Sequence, residues 1–136
     1  MTFNPSFDVD FARGKIGEDL VGGLPEMIRD GKIEVKTDSL AIKTGNFYVE
    51  TWQRNVYNMQ WKQSGINVTT ADYWAFVIPQ TMSMFVVSTD NLRELLEKNR
   101  DIYREGEQRI VTVETNGSRG RLVPVKDVYE KMIKIT

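Results

Sequence analysis

Residues 32–38 and 46–53 repeat polar and apolar side chains with a period of two, and only an extended strand holds such a period on fixed faces. In the first segment Ile33 and Val35 point one way, while Glu34, Lys36 and Asp38 point the other. In the second, "NFYVETWQ", Phe47 and Val49 oppose Tyr48 and Glu50. Thr44-Gly45-Asn46 lies between them and is a turn signal. The pair reads as an antiparallel hairpin centred near Ile42, with Glu50 opposite Glu34 on one face. Alternating charges mirrored across a turn suggest a site.

The rest of the chain supplies the partners such strands need. "DFARGKIGEDLV" reads as an opening helix, with Ile16, Leu20 and Leu24 four apart and Phe11, Glu18 and Val21 on another face. Gly22-Gly23 end or interrupt it, and Pro25 suits the first turn of a continuation, "PEMIRD". The run Tyr73–Ile78 is a buried strand by composition, and "MSMFVVS" is another. "STDNLRELLEKNRDIY" carries the strongest helical period, with Leu92, Leu95, Leu96 and Ile102 as its buried stripe and caps among Ser88 to Asn91. "QRIVTVE" reads as a strand, "NGSRGR" as a turn, "LVPV" as extended and "VKDVYEKMIKI" as a final helix. This order predicts one domain over 1–136, α/β or α+β, with a mixed central sheet flanked by helices.

Composition narrows the chemistry. The 136 residues suit one domain with one core. Lys plus Arg is 18 and Asp plus Glu is 19, so net charge steers the chain neither toward nor away from nucleic acid. There is no cysteine and no histidine. Disulfides, thiolate zinc, Ser-His triads and imidazole metal sites are therefore excluded, leaving carboxylates, Lys, Tyr or a metal held by oxygen. No stretch is apolar enough to span a membrane, and "MTFNPSFDVDFARGK" lacks the apolar core of a signal peptide, so no membrane partner and a cytoplasmic location are expected.

Glu34 and Lys36 are two apart on a strand, so both project from one face about 6–7 Å apart along the backbone. A carboxylate there can bind a hard cation, and the ammonium can stabilise charge on a water or phosphate. The plainer reading is a surface ion pair worth at most about 1 kcal/mol. Asp30, four residues earlier in "RDGK", is either a second ligand or a turn-forming Asp-Gly. Glu18 shares a helical stripe with Phe11 and Val21, and a Glu facing a core usually has a metal or a buried donor as its reason.

The series of Glu on an opening helix, then Asp, then Glu-x-Lys on a strand resembles the PD-(D/E)XK nuclease superfamily, the restriction-endonuclease-like fold. "GKIGEDLV", "RDGKIEVK" and "ADYWAFV" carry the resemblance, and "EVKTD", "TGNFYVE", "SGI" and "TTADYW" look like small phage-type nucleases of that superfamily. It covers roughly residues 8–100. The resemblance implies Mg²⁺- or Mn²⁺-dependent hydrolysis of DNA phosphodiester bonds, with junction resolution or recombination and repair as the setting and a homodimer as the assembly. It implies that Glu34, Asp30 and Glu18 bind metal beside Val35, and that Lys36 positions or activates the attacking water. No proline precedes Asp30, and its interval to Glu34 is short for the family, so Glu50 is an equal candidate for the second carboxylate.

Lys43, Thr44, Asn46 and Arg54 lie near the proposed face and could contact phosphates, as could Ser64 with Gly65, Ile66, Thr69 and Thr70. Arg119 and Arg121 flank Gly120 in a turn. Trp52, Trp61, Tyr73 and Trp74 read as core or rim before they read as base-stacking platforms. Two other readings fit the same residues: a non-catalytic nucleic-acid-binding or structural protein on this fold, and a metal-free interaction module whose charged face is only solvated.

Overall fold

The computed structural model describes residues 31–132. In chain order its elements are β1 (Ile33–Thr37), a single helical turn α1 (Ala41–Thr44), β2 (Asn46–Arg54), β3 (Trp61–Gln63) and a 3-10 turn (Gly65–Asn67). They continue with β4 (Tyr73–Ile78), β5 (Ser83–Ser88), α2 (Thr89–Lys98), the pair β6 (Ile102–Arg104) and β7 (Glu107–Arg109), β8 (Thr112–Thr115), β9 (Ser118–Pro124) and α3 (Val125–Lys131). The fold is mixed α+β, with the described strands in three sheets rather than one central one.

The unbroken apolar run of β4 is explained by its place. It is the middle strand of the sheet β1-β4-β5, parallel to β1 and antiparallel to β5, so both its edges are paired, and apolar clusters cover both its faces. Ala75 and Val77 join Ile33, Val35 and Val86 on one face. Trp74, Phe76 and Ile78 join the larger core on the other, with Phe47, Leu92, Leu95 and Val123. The second sheet, β3-β2-β9-β8, is antiparallel throughout. Phe47 of β2 stacks on Phe76 of β4 at 4.4 Å and meets Phe85 edge-on at 5.6 Å, so aromatic packing holds the two sheets together. Beyond their edges, β6 and β7 form a separate hairpin.

Two expectations are corrected. β1 and β2 do not form a hairpin: Glu34 stands beside Trp74 in one sheet, and Glu50 stands beside Gly120 in the other. Asp38 is the physical reason. Its Oδ1 accepts the N–H groups of Leu40 (3.1 Å) and Ala41 (3.0 Å), starting a helical turn where a hairpin would need strand, and its Oδ2 accepts Tyr48 N–H (3.0 Å). The helix after Ser88 also ends early. Ser88 caps it by accepting Asn91 N–H, as its sequence suggests, but Asn99 leaves helical geometry and Ile102 opens β6 instead of extending the buried stripe. Asn99 is buried, and its amide donates to Leu95 O (3.0 Å) and Asp127 Oδ2 (3.1 Å), tying the end of α2 to α3.

Among the described residues no helix is long and apolar enough to cross a membrane. Glu18 and Asp30, and the opening helix that would carry Glu18, lie outside the described residues.

Candidate functional site

A cleft of about 480 Å³ opens where the two main sheets diverge. Lys36 and Trp74 form one wall, Tyr48, Glu50 and Leu122 the other, and Asp38 lies at the join. Tertiary packing rather than hairpin register therefore brings Lys36 of β1 and Glu50 of β2 into one cleft, with Glu34 outside its lining.

On the β1 wall, Lys36 Nζ is 3.1 Å from Glu34 Oε1, with both side chains about one-third exposed (32% and 37%). The ammonium also lies 5.6 Å from the centre of the Trp74 ring, within cation–π reach. This pair, by itself, contributes about 0–1 kcal/mol. Trp74 is 1% exposed, and its Nε1, like the Thr37 hydroxyl oxygen, is buried without a hydrogen-bond partner among the described residues. Both residues line the cleft. Orphaned buried polar groups are uncommon and cost free energy unless something occupies them.

On the opposite wall, Ser118 Oγ donates to Glu50 Oε1 at 2.7 Å and lies 2.5 Å from Tyr48 Oη. Serine has one hydroxyl proton, and it goes to Glu50, so the Tyr48 phenol donates to Ser118. The chain Tyr48, Ser118, Glu50 fixes the carboxylate. Burial pushes the Tyr48 phenol above its ordinary pKa; the Ser118 hydrogen bond acts against that, and the Glu50 charge raises it further. Tyr48 thus stays a donor at neutral pH.

Two glycines make this wall. A Cβ on Gly65 would lie 2.2 Å from Glu50 O, and Gly65 has φ +54°, so the 3-10 turn presses on β2 at a point only glycine permits. A Cβ on Gly120 would lie 2.5 Å from Val49 O and 2.7 Å from the Tyr48 ring. Between them Thr51 is the extra residue of a β-bulge, and its carbonyl accepts Ser64 N–H and the Asn67 amide.

The other sequence candidates fall as follows. Val35 is fully buried with its side chain away from the cleft, among Ile33, Ala75 and Val77. Thr44 and Asn46 line the cleft and bond to each other around the turn. Lys43 is exposed on α1. Arg54 lies over the Trp61 ring and does not line the cleft, and Ser64 is buried. Thr69 accepts Ala71 N–H within its own turn, and Thr70 accepts the ammonium of Lys32, 38 positions away. Arg121 donates to Leu96 O, bracing α2. Sequence reading gave Asp38 no capping role and Ser118 no role beyond a turn; the "TDS" following a strand is the signal that could have found the cap.

As to a metal, no set of three acidic side chains converges among the described residues. Asp38 is committed, since both its oxygens accept backbone N–H groups. Glu34 and Glu50 are hard oxygen donors of the type Mg²⁺ takes, and Mg²⁺ commonly binds through one or two carboxylates with waters and substrate phosphate completing its shell. Glu50 lines the cleft, whereas Glu34 is outside its lining and paired to Lys36. No family model, no curated protein and no solved structure matches this chain.

Proposed function

We propose that the protein is a Mg²⁺-dependent endonuclease that hydrolyses DNA phosphodiester bonds at the cleft between its two main sheets. One observation carries the reading: Lys36, paired to Glu34 at 3.1 Å, and Glu50 line one cleft from separate sheets. Glu34 and Glu50 would hold the ion, joined by Glu18 and Asp30 from outside the described residues. Bound Mg²⁺ would lower the pKa of a coordinated water and so favour its attack as a nucleophile. The Lys36 ammonium faces the negative charge that grows on the phosphate oxygens as the water oxygen bonds to phosphorus and the ester oxygen leaves. Ser118 and Tyr48 hold Glu50 in one orientation. Thr44 and Asn46 offer polar contacts to the DNA backbone at the cleft mouth. Branched recombination or repair intermediates are the proposed substrates, a homodimer the working form, and the cytoplasm, that of the host for a viral chain, the place of action.

The test is incubation with supercoiled, branched and single-stranded DNA in Mg²⁺, Mn²⁺ or EDTA. Wild type cuts only with metal, and Lys36→Ala and Glu34→Ala each reduce the rate at least about 100-fold, the scale of losing one charge-stabilising group. Comparing Asp30→Ala with Glu50→Ala identifies the second carboxylate. A second reading, a non-catalytic nucleic-acid-binding protein, is favoured by the mutual engagement of Glu34 and Lys36 and by the missing third carboxylate among the described residues. Binding without metal-dependent cutting establishes it.

A further inference from the structure

The tip between β2 and β3 presents apolar side chains to water from an ordered loop. Tyr57 is 94% exposed, Val56 78% and Met59 57%. The loop holds itself in shape: Asn55 N–H donates to Gln60 O, Met59 N–H to Asn55 O, Asn55 Oδ1 accepts Tyr57 N–H, and Asn58 Oδ1 accepts Gln60 N–H, all at 2.8–2.9 Å. Met59 is kept at φ +59°, where a side chain is disfavoured. A fold that spends strain to expose three apolar groups is presenting them to something.

The charge around the tip indicates what. From Thr51 to Ala71 the sequence holds no Asp or Glu, although the whole chain has 19. Arg54 and Lys62 flank the loop and, with Tyr57, line a hollow of about 180 Å³. Behind them the guanidinium groups of Arg119 and Arg54 lie 4.4 Å and 5.7 Å from the centre of the Trp61 ring. The bulge at Thr51 turns Arg54 and Trp61 away from the cleft. Gln53 pairs with Ser118, whose side chain meets Glu50, so Gln53 follows Glu50 on the cleft face. Trp52, Arg54 and Trp61 therefore share the other face, while Lys62, opposite Gln53, is on the cleft side, and the two cations meet Tyr57 around the end of the ribbon.

We propose that this tip is a second nucleic-acid contact, a stacking finger for unpaired DNA: Tyr57 stacks on a base while Arg54 and Lys62 hold the flanking phosphates. Arg119 is paired with Glu114 at 3.2 Å, which leaves Arg54 and Lys62 as the cations beside the tip. An exposed aromatic beside two cations suits a strand whose bases are available and whose backbone is negative, and it needs no base sequence. The proposal rests on nucleic acid being the substrate and adds the feature recognised, a single-stranded segment beside the cut.

The test is fluorescence anisotropy of the full chain with a labelled oligo-dT and with a blunt duplex, in EDTA so that nothing is cut. Tyr57→Ala weakens oligo-dT binding about 5- to 150-fold, and Tyr57→Phe restores it. Arg54→Ala and Lys62→Ala each lower the slope of log affinity against log salt by about 0.7. Duplex affinity changes less than twofold. Tyr57 is almost wholly in solvent, so melting temperature stays that of wild type. The proposal is overturned if wild type does not bind oligo-dT, if Tyr57→Ala binds like wild type, or if Tyr57→Ala instead dissolves a dimer in sedimentation, which would make the tip a contact between copies. Tyr57-dependent binding with no cutting refutes the nuclease reading alone. Metal-dependent cutting with Tyr57-independent binding refutes the finger alone.

Discussion

A glycine packed behind the cleft wall is hard to replace. Gly65 lies in left-handed geometry against the Glu50 carbonyl, so an added methyl meets backbone on one side and strain on the other. Gly65→Ala is expected to destabilise the fold by about 3 kcal/mol, adding roughly 1–2 for the backbone conformation to roughly 1–3 for the clash. A urea titration checks it; a midpoint equal to wild type would mean that the turn stands away from β2. At this scale much of the site was legible. Glu34 and Lys36 are on one face because strand period demands it. The pairing of Glu50 with Ser118 was not legible, because it spans 68 positions and depends on a register that β2 and β9 set between them.

Elements add what single residues cannot. β4 coincides with its apolar run, since a strand covered on both sides leaves a continuous signature. The segment after α2 was harder to read. "QRIVTVE" divides between β7 and β8, and "LVPV" is only the end of the seven-residue β9, because these breaks follow from cross-chain bonding. Asp101 is the fastener. Its Oδ1 accepts Val111 N–H (2.6 Å) and Thr112 N–H (2.9 Å), and its Oδ2 accepts the Thr112 hydroxyl, fixing the base of the β6–β7 hairpin to β8. The Thr112 hydroxyl, then the Val111 N–H, hold this carboxyl below its ordinary pKa, against a small opposing effect of burial. A depressed folded pKa gives stability that is present above the unfolded value near 4 and fades as pH falls through the folded value. Asp101→Asn should therefore lower Tm by about 4 °C at pH 7, with the gap to wild type narrowing below about pH 4. A gap independent of pH would show that the charge is immaterial.

At the level of the whole molecule, the division into two main sheets was the feature least visible beforehand. Adjacent strands usually pair, so β1 and β2 suggested a hairpin. Instead β1 finds β4 across a long connection, which parallel pairing requires. Side chains then unite the sheets, Phe47 above all. It is fully buried and touches rings of both β4 and β5. Phe47→Ala is expected to cost about 3–5 kcal/mol. Because Phe47 bridges the layers, far-ultraviolet circular dichroism and tryptophan fluorescence should still report one shared unfolding midpoint. Two separated midpoints would mean that each sheet folds independently.

The cleft inherits a mechanical property from that division. Lys36 is carried by one hydrogen-bonded ladder and Glu50 by another, and among the described residues no ladder spans the gap. The walls are joined by the Phe47–Phe76 stack and by Asp38, which accepts Tyr48 N–H, so the width of the cleft is set by side chains and not by a strand ladder.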